Sequence, residues 1–230
     1  MQKIVVTAAQ VIICSLFLSP FWVLASAPVT DAEQKITSQF APLFRTVTQE
    51  LSENQTLYLT NPSAYADFIN SRVKSRWDVA STTSALIGKS RFKALSQVEQ
   101  NRLVAAVDRT LMRYAFEGLE RYTAQIFDVV DVVLNDKDTL GWVQVRMLSS
   151  VLPDLNLDLL IKRTDQNQWK AVDVRFKGIT YVSIKKHEFR GIIKEGGVAA
   201  LIQTLNQKNT EFFTTLCSQS SKQRKGITPC

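Results

Sequence analysis

The sequence predicts an α+β fold in which N-terminal helices precede a curved four-stranded antiparallel sheet and a C-terminal helix. Apolar residues recur three and four positions apart up to about residue 122, which is typical of amphipathic helices. After that point apolar and polar residues alternate, which is typical of strands. The loops between the alternating runs are short, and short loops favour an antiparallel meander over a parallel sheet.

The first 27 residues have the features of a cleaved signal peptide. Lys3 supplies a positive charge, an apolar stretch runs from Ala8 to Leu24, and Ala25-Ser26-Ala27 fits the small-residue cleavage rule. The uncharged run from Ile4 to Thr30 is also long enough to span a membrane, so an N-terminal anchor is the alternative. Beyond it we expect one domain over residues 28–216, because no Pro/Ser/Gly-rich linker or internal repeat divides it.

The helices before the sheet begin with Asp31 to Glu53, where Asp31 is a suitable N-cap and Pro42 marks a kink or a boundary. A second helix follows the turn at residues 61–63, with Ser63 as its cap, and carries an apolar stripe that ends at Trp77. Residues 79–87 predict a connection or a short helix. The longest helix begins at the capping box Ser96-Gln97-Val98-Glu99 and continues to residue 122.

Four strand-like runs follow, at residues 123–134, 141–150, 155–164 and 168–177. A basic segment then leads to Gly196-Gly197, where we expect a short helix to begin. The apolar faces of helices and strands together carry more large side chains than one four-stranded sheet needs. They therefore fit either a packed core or the wall of a cavity, and the candidate lining residues are Trp77, Tyr114, Phe116, Phe127, Val143, Val145, Met147, Leu157, Leu159, Ile161, Val172, Val174 and Phe176.

The net charge of +7 is dispersed along the chain. In an exported protein such a charge favours anionic membrane surfaces and lipid head groups over nucleic acid. The cysteines that remain after signal removal are Cys217 and Cys230, an even number that allows a disulfide in an oxidising compartment. The alternative is that the polar basic tail, residues 217–230, is disordered.

Residue patterns typical of catalysis or metal binding are weak in this chain. His187 is the only histidine and lies among lysines, which indicates a surface residue, and no Cys/His cluster predicts a metal site or a cofactor. Asp128 and Asp173 lie in strands and fit either general bases of a cone-shaped pocket or cross-strand partners of basic residues. An enzyme using such a base is one alternative function, and a cargo-free interaction module with a basic surface is another.

Several segments, taken together, resemble the MlaC or toluene-tolerance family of periplasmic phospholipid-binding proteins. The resemblance spans about residues 31–208, and it departs from the family at Thr180 and at Lys185-Lys186, where the family often has serine and Tyr-Arg. In chain order, the matching segments are residues 87–89 leading to 96–97, residues 111–115, 119–122, 169–174 and 178–180, Phe189, and residues 196–205.

This resemblance implies a non-enzymatic periplasmic carrier. Such a protein holds the acyl chains of a phospholipid in an apolar pocket and leaves the head group outside. Its implied partners are an outer-membrane lipoprotein complex and an inner-membrane ABC transporter complex with its lipid-binding subunit, between which it shuttles lipid. The basic rim beside the head group would consist of Lys185, Lys186 and Arg190.

Overall fold

The computed structural model describes residues 30–149 and 155–220. The predicted signal peptide and Cys230 lie outside these residues. The helices are α1 (Asp31–Thr60), α2 (Pro62–Phe68), α3 (Val79–Ile87), α4 (Lys89–Ala94), α5 (Gln97–Leu119) and α6 (Tyr181–Ser220). The strands are β1 (Ile126–Leu134), β2 (Leu140–Leu148), β3 (Leu155–Arg163), β4 (Trp169–Phe176) and β5 (Ile179–Thr180).

The strands form one antiparallel sheet in the order β1-β2-β3-β4-β5. This arrangement confirms the predicted α+β class and the meander, and it adds a two-residue fifth strand that the sequence pattern does not predict. Two-residue turns at positive φ are typical of tight hairpins, and Lys177 (φ 49°) and Gly178 (φ 80°) connect β4 to β5 in this way. None of the helices in the described part of the chain combines the length and the apolar character that a membrane crossing requires.

Side-chain capping fixes where the long helices begin. The predicted box at α5 is confirmed, because the Ser96 hydroxyl accepts from the Glu99 N–H at 3.3 Å and the Glu99 carboxylate accepts from the Ser96 N–H at 2.9 Å. Helix α1 has an equivalent box formed by Thr30 and Glu33, so Thr30 rather than the predicted Asp31 is its N-cap. The helix also continues to Thr60, past the predicted end, with Pro42 inside it.

One face of the sheet packs against α1 and forms a core cluster. Val143, Val145 and Ile161 are at most 1% exposed and belong to this cluster together with Ile36 and Phe40 of α1. The opposite face is charged. There the Arg175 guanidinium pairs with Asp158 at 2.8 Å, and Trp142 also contacts this guanidinium through its ring. The alternation of apolar and polar residues along the strands therefore separates a core face from a solvent face.

Helices α3, α5 and α6 form a second core cluster beside the sheet, which includes Leu103 of α5 and Leu201 of α6. The contact between α5 and α6 also buries Asn209 completely. The Asn209 side-chain amide donates to the Ala106 carbonyl at 3.2 Å and to the Thr110 hydroxyl at 3.0 Å, so this buried polar group is satisfied. A third cluster joins α2, α5 and the C-terminal part of α6 around Tyr65, Phe116 and Phe213.

Helix α6 consists of two helical stretches that meet at a kink at Gly197, so the predicted helix start at Gly196-Gly197 is confirmed, and the basic segment before it is helical as well, from Tyr181 onward. Gly197 adopts φ 73° and ψ −174°, a conformation that is essentially restricted to glycine, and it kinks the helix there. Phe189 before the kink and Leu201 after it are buried in the same cluster. Residues 217–220, which the sequence assigns to the tail, belong to this helix as well.

Candidate functional site

An apolar cavity of about 280 Å³ lies between α5 and the irregular turns that follow α2. These turns are a π-helical turn, Ile69–Val73, and a 3₁₀ turn, Lys74–Arg76. The lining residues from the turns and the start of α3 are Ile69, Val73, Lys74, Trp77 and Val79, and those from α5 are Asp108, Leu111, Met112, Tyr114 and Ala115.

The two walls of this cavity differ in secondary structure and in burial. On α5 the positions of Asp108, Leu111, Met112 and Ala115 follow the i, i+3, i+4, i+7 spacing that places side chains on one helix face. The facing wall contains no buried residue from Ile69 to Arg76. π-helical turns are rare and frequently occur at functional sites, and this one forms the facing wall of the cavity.

Trp77 connects the cavity to the sheet. Its indole N–H donates to the Thr82 hydroxyl at 2.9 Å, and its backbone pairs with Ala171 of β4. The next residue, Asp78, continues this connection, since its backbone N–H donates to the Ala171 carbonyl at 2.8 Å. The indole of Trp77 is therefore fixed in orientation where it lines the cavity.

The charged groups among the cavity-lining residues form an ion pair. Lys74 and Asp108 are 2.7 Å apart, and both side chains are partly exposed to solvent. Surface pairs of this kind contribute little to stability, typically about 0–1 kcal/mol. The pair neutralises the only charges among the lining residues, so the interior of the cavity presents aromatic and aliphatic surface.

Tyr114 carries a polar cluster on the side of α5 that faces α6. Its ring meets the Tyr181 ring nearly edge-on, with the centroids 5.9 Å apart. The Arg113 guanidinium lies 4.8 Å from the Tyr114 ring centroid, and the Lys185 ammonium lies 5.9 Å from it. Burial of Lys185 opposes its charge, but its hydrogen bond to Glu188 at 2.8 Å helps to raise the pKa of Lys185 above the ordinary value.

Two of the predicted lining residues, Trp77 and Tyr114, reach the cavity. The other apolar candidates lie in the core or along the sheet. Phe116 is buried in the third cluster, and Val143, Val145, Ile161 and Val172 are buried, whereas Phe127, Met147, Leu157, Leu159 and Val174 are half-buried and Phe176 is exposed.

In this structure α1 packs against Val143, Val145 and Ile161, so these residues do not form the wall of an open pocket. Lipid would reach these side chains only if α1 moved. The cavity residues absent from the prediction, such as Leu111, Met112 and Ala115, lie on an apolar helix stripe that the sequence does show. The sequence pattern does not tell which stripe faces a void.

The residues predicted for the basic rim differ in their surroundings. Lys186 and Arg190 are exposed, whereas Lys185 is half-buried and paired with Glu188. Cys217 takes part in a disulfide. Since Cys230 lies outside the described residues, its pairing with Cys217 stays a prediction.

The two aspartates considered as catalytic bases are far apart in the sheet. Asp128 is exposed in β1 opposite Arg146, and Asp173 is buried in β4, with β2 and β3 between them. The Asp173 carboxylate accepts from the Val182 N–H at 3.1 Å and from the Val174 N–H at 2.8 Å. It therefore anchors the start of α6, and the two carboxylates do not form an acid/base pair.

We expect Asp173→Asn to leave the fold intact and Asp173→Ala to lower the free energy of unfolding by about 1–3 kcal/mol. The amide oxygen can still accept from the Val182 N–H, whereas alanine leaves this donor without an acceptor. Desolvation raises the pKa of Asp173. Protonated Asp173 therefore stabilises the folded protein. This contribution is fully present below the unfolded-state pKa, about 3.9, and is lost as the pH rises through the folded-state pKa.

Because asparagine does not titrate, Asp173→Asn should gain stability relative to the natural chain as the pH rises through that window. Urea unfolding at several pH values, followed by circular dichroism, measures both effects. Equal stability of the asparagine and alanine variants would show that the carboxylate does not anchor α6.

Comparison with known proteins gives three results. The family model described as MlaC protein matches residues 43–207 of this chain. Seven chains of solved structures also match this protein. One of them is a phospholipid-binding protein from Ralstonia solanacearum, solved in complex with a phospholipid. That protein is 19% identical, the match covers 80% of this chain and 99% of that chain, and the TM-score is 0.65, which shows a shared fold. No curated protein matches the chain.

Proposed function

We propose that this chain, which belongs to the MlaC protein family, is a carrier that binds a phospholipid by its acyl chains and moves it between two membranes. The observation that carries this proposal is the apolar cavity between α5 and the π-helical turn, with the Tyr114 cluster beside it. An apolar cavity next to polar side chains matches the two chemical parts of a phospholipid. The shared fold of the phospholipid-bound Ralstonia protein supports the same proposal.

The free energy of acyl-chain hydration explains why such a carrier is needed. Two chains of about fifteen methylenes each, at about 0.8 kcal/mol per methylene, favour an apolar environment over water by roughly 25 kcal/mol. A free phospholipid therefore crosses an aqueous gap extremely slowly. Transfer from a bilayer into an apolar cavity replaces one apolar environment with another, so its net free energy can lie near zero, and the lipid can be released again.

The cavity must enlarge to hold a complete phospholipid. Its volume of about 280 Å³ lies at the lower limit of typical ligand pockets, about 300–1,000 Å³. The wall formed by Ile69–Arg76 contains no buried residue, so moving it outward exposes little core surface. We assign the opening movement to this wall, with α5 as the fixed side.

The site of action that fits this function is the periplasm. In this proposal residues 1–27 are a signal peptide, residues 28–216 are the lipid-binding domain, and residues 217–230 are a basic tail. The partners are an outer-membrane lipoprotein complex and an inner-membrane ABC transporter complex with its lipid-binding subunit. The exposed Lys186 and Arg190 on α6 would face anionic head groups.

We expect the mature chain, purified without detergent, to carry bound phospholipid detectable by native mass spectrometry. Chain stripped of lipid should extract phospholipid from vesicles and deliver it to acceptor vesicles, since neither transfer changes the apolar environment of the acyl chains greatly. The matched control is Ala115→Trp, which fills the cavity. Protein that is isolated without lipid, and that extracts none from vesicles of several compositions, would refute the proposal.

A further inference from the structure

Two buried polar atoms beside Tyr114 lack a hydrogen-bond partner among the described residues. They are the Nε atom of Arg113 and the hydroxyl oxygen of Tyr181. Both residues contact the Tyr114 ring, from α5 and from the first turn of α6 respectively. Tyr114 in turn lines the apolar cavity. The unpaired atoms therefore belong to residues packed around one side chain of the cavity wall.

The chemistry of these atoms indicates what would satisfy them. The Nε–H of arginine only donates hydrogen bonds, and the hydroxyl of a neutral tyrosine has one proton to donate. Leaving a buried donor without an acceptor is destabilising, and more than 90% of buried backbone groups and most buried side-chain polar atoms are paired in native structures. Burial raises the pKa of Tyr181 well above its ordinary value, so its hydroxyl keeps the proton.

The carboxylates near this position are already paired with other groups. The buried Asp173 carboxylate, whose charge adds to the effect of burial in raising the pKa of Tyr181, accepts from the Val174 and Val182 N–H groups. Arg113 contacts the Glu117 carboxylate through Nη1 at 3.3 Å, which leaves its Nε–H unused. Lys185 contacts Glu188 at 2.8 Å, and Lys208 contacts the other oxygen of Glu188 at 3.5 Å. The described contacts of the Glu117 and Glu188 carboxylates are thus with cations.

We propose that Arg113 and Tyr181 bind a phosphodiester oxygen of the lipid whose acyl chains occupy the cavity. This inference rests on the proposed function and adds the head-group chemistry that the carrier recognises. Hydrogen bonds to an ionised phosphate are about twice as strong as neutral ones, and arginine suits phosphate geometry. The carrier thereby selects phosphate-containing lipids over neutral lipids with the same acyl chains, and the exposed Lys186 and Arg190 are not part of this site.

The test is a competition between two lipids that share their acyl chains. Lipid-free protein is incubated with vesicles that contain equal amounts of dioleoylphosphatidylglycerol and dioleoylglycerol, and the bound lipids are quantified by mass spectrometry. We expect the natural chain to prefer the phospholipid. Tyr181→Phe should lower this preference about tenfold, since losing one hydrogen bond to a charged group costs about 1.5 kcal/mol or more. Arg113→Lys keeps the charge but removes the Nε donor, and it should lower the preference as well.

Tyr122→Phe is the matched control, because it also removes a buried hydroxyl. The Tyr122 hydroxyl donates to the Gln125 carbonyl at 3.3 Å, so its loss should reduce the stability of the lipid-free protein and leave the lipid preference unchanged. Tyr181→Phe should show the opposite pattern. Removing its unpaired hydroxyl should not destabilise the lipid-free protein, whereas the lipid preference should fall.

The outcomes separate this inference from the proposed function. Uptake of both lipids with equal preference, unchanged in Tyr181→Phe, would overturn phosphate recognition and leave the carrier function standing. Uptake of neither lipid by the natural chain would refute the carrier function itself. Titration calorimetry with inorganic phosphate completes the test, and we expect no measurable binding. Phosphate binding that depends on Tyr181, together with an unchanged lipid preference, would overturn the assignment to a lipid phosphate.

Discussion

Val145→Asp is expected to destabilise the whole domain strongly, rather than only to prevent lipid binding. Val145 is 1% exposed and pairs with Val129 of β1 and Leu157 of β3 on the face that α1 covers. A carboxylate placed there has no cationic partner in the cluster, and an uncompensated buried charge costs about 3–5 kcal/mol. Since small domains are stable by only about 5–15 kcal/mol, urea unfolding followed by circular dichroism should show a large loss of stability.

Val133→Asp is the control for this prediction, because it makes the same substitution on the opposite face of the same sheet. Val133 is 45% exposed and lies opposite Trp142 in β2. We expect its free energy of unfolding to change by about 0.5 kcal/mol or less, as is usual for surface positions. A Val145→Asp variant of unchanged stability that has merely lost its lipid would show that this face lines the lipid pocket and that α1 moves aside.

The alternation of residues in the strands was sufficient to predict the sheet. Side chains of strands have a period of two, so the apolar set identifies the face that must be buried. This reasoning placed Val145 and Ile161 on one face correctly. It did not tell whether a helix or a lipid covers that face, because an acyl chain and a leucine or phenylalanine side chain offer the same kind of contact. The answer depends on where α1 lies, and that position is a tertiary property.

Local signals located the boundary at Gly196-Gly197 but did not predict the helical stretch before it. The pair Gly196-Gly197 predicts a helix boundary, since glycine is common at helix ends. In the structure the chain remains helical on both sides of Gly197, and Phe189 and Leu201 are buried together in the cluster with α3 and α5. Burial of these side chains stabilises the helix by more than the roughly 1 kcal/mol that a glycine costs.

The candidate site depended most strongly on the helical stretch before this boundary. The sequence assigned no secondary structure to this basic segment, so Tyr181 and Lys185 had no defined relation to each other. In a helix, residues four apart lie on the same face, and both side chains then meet Tyr114. Unpaired donors such as Arg113 Nε are equally invisible in a sequence, because hydrogen-bond partners are known only when the whole fold is known.

Filling the apolar cavity should abolish phospholipid retention while the protein stays folded. Ala115 lies on the cavity-lining stripe of α5, and Ala115→Trp places an indole in the cavity of about 280 Å³. If the ring displaces only three methylenes of an acyl chain, the loss is about 2.4 kcal/mol, or roughly 50-fold in affinity. Overpacking costs about 1–3 kcal/mol of stability in a filled core, and the cavity should reduce this cost. Native mass spectrometry and thermal unfolding measure the two effects separately.

Ala105→Trp makes the same substitution on the same helix, outside this cavity. Ala105 is exposed and lines a neighbouring groove whose other residues include Asp67, Asn70 and Arg109. This groove is more polar and suits acyl chains poorly, since burying charged or unpaired polar groups under an apolar chain is costly. Ala105→Trp should therefore retain lipid at the level of the natural chain. The reverse result, with lipid lost in Ala105→Trp and kept in Ala115→Trp, would place the acyl chains in the groove.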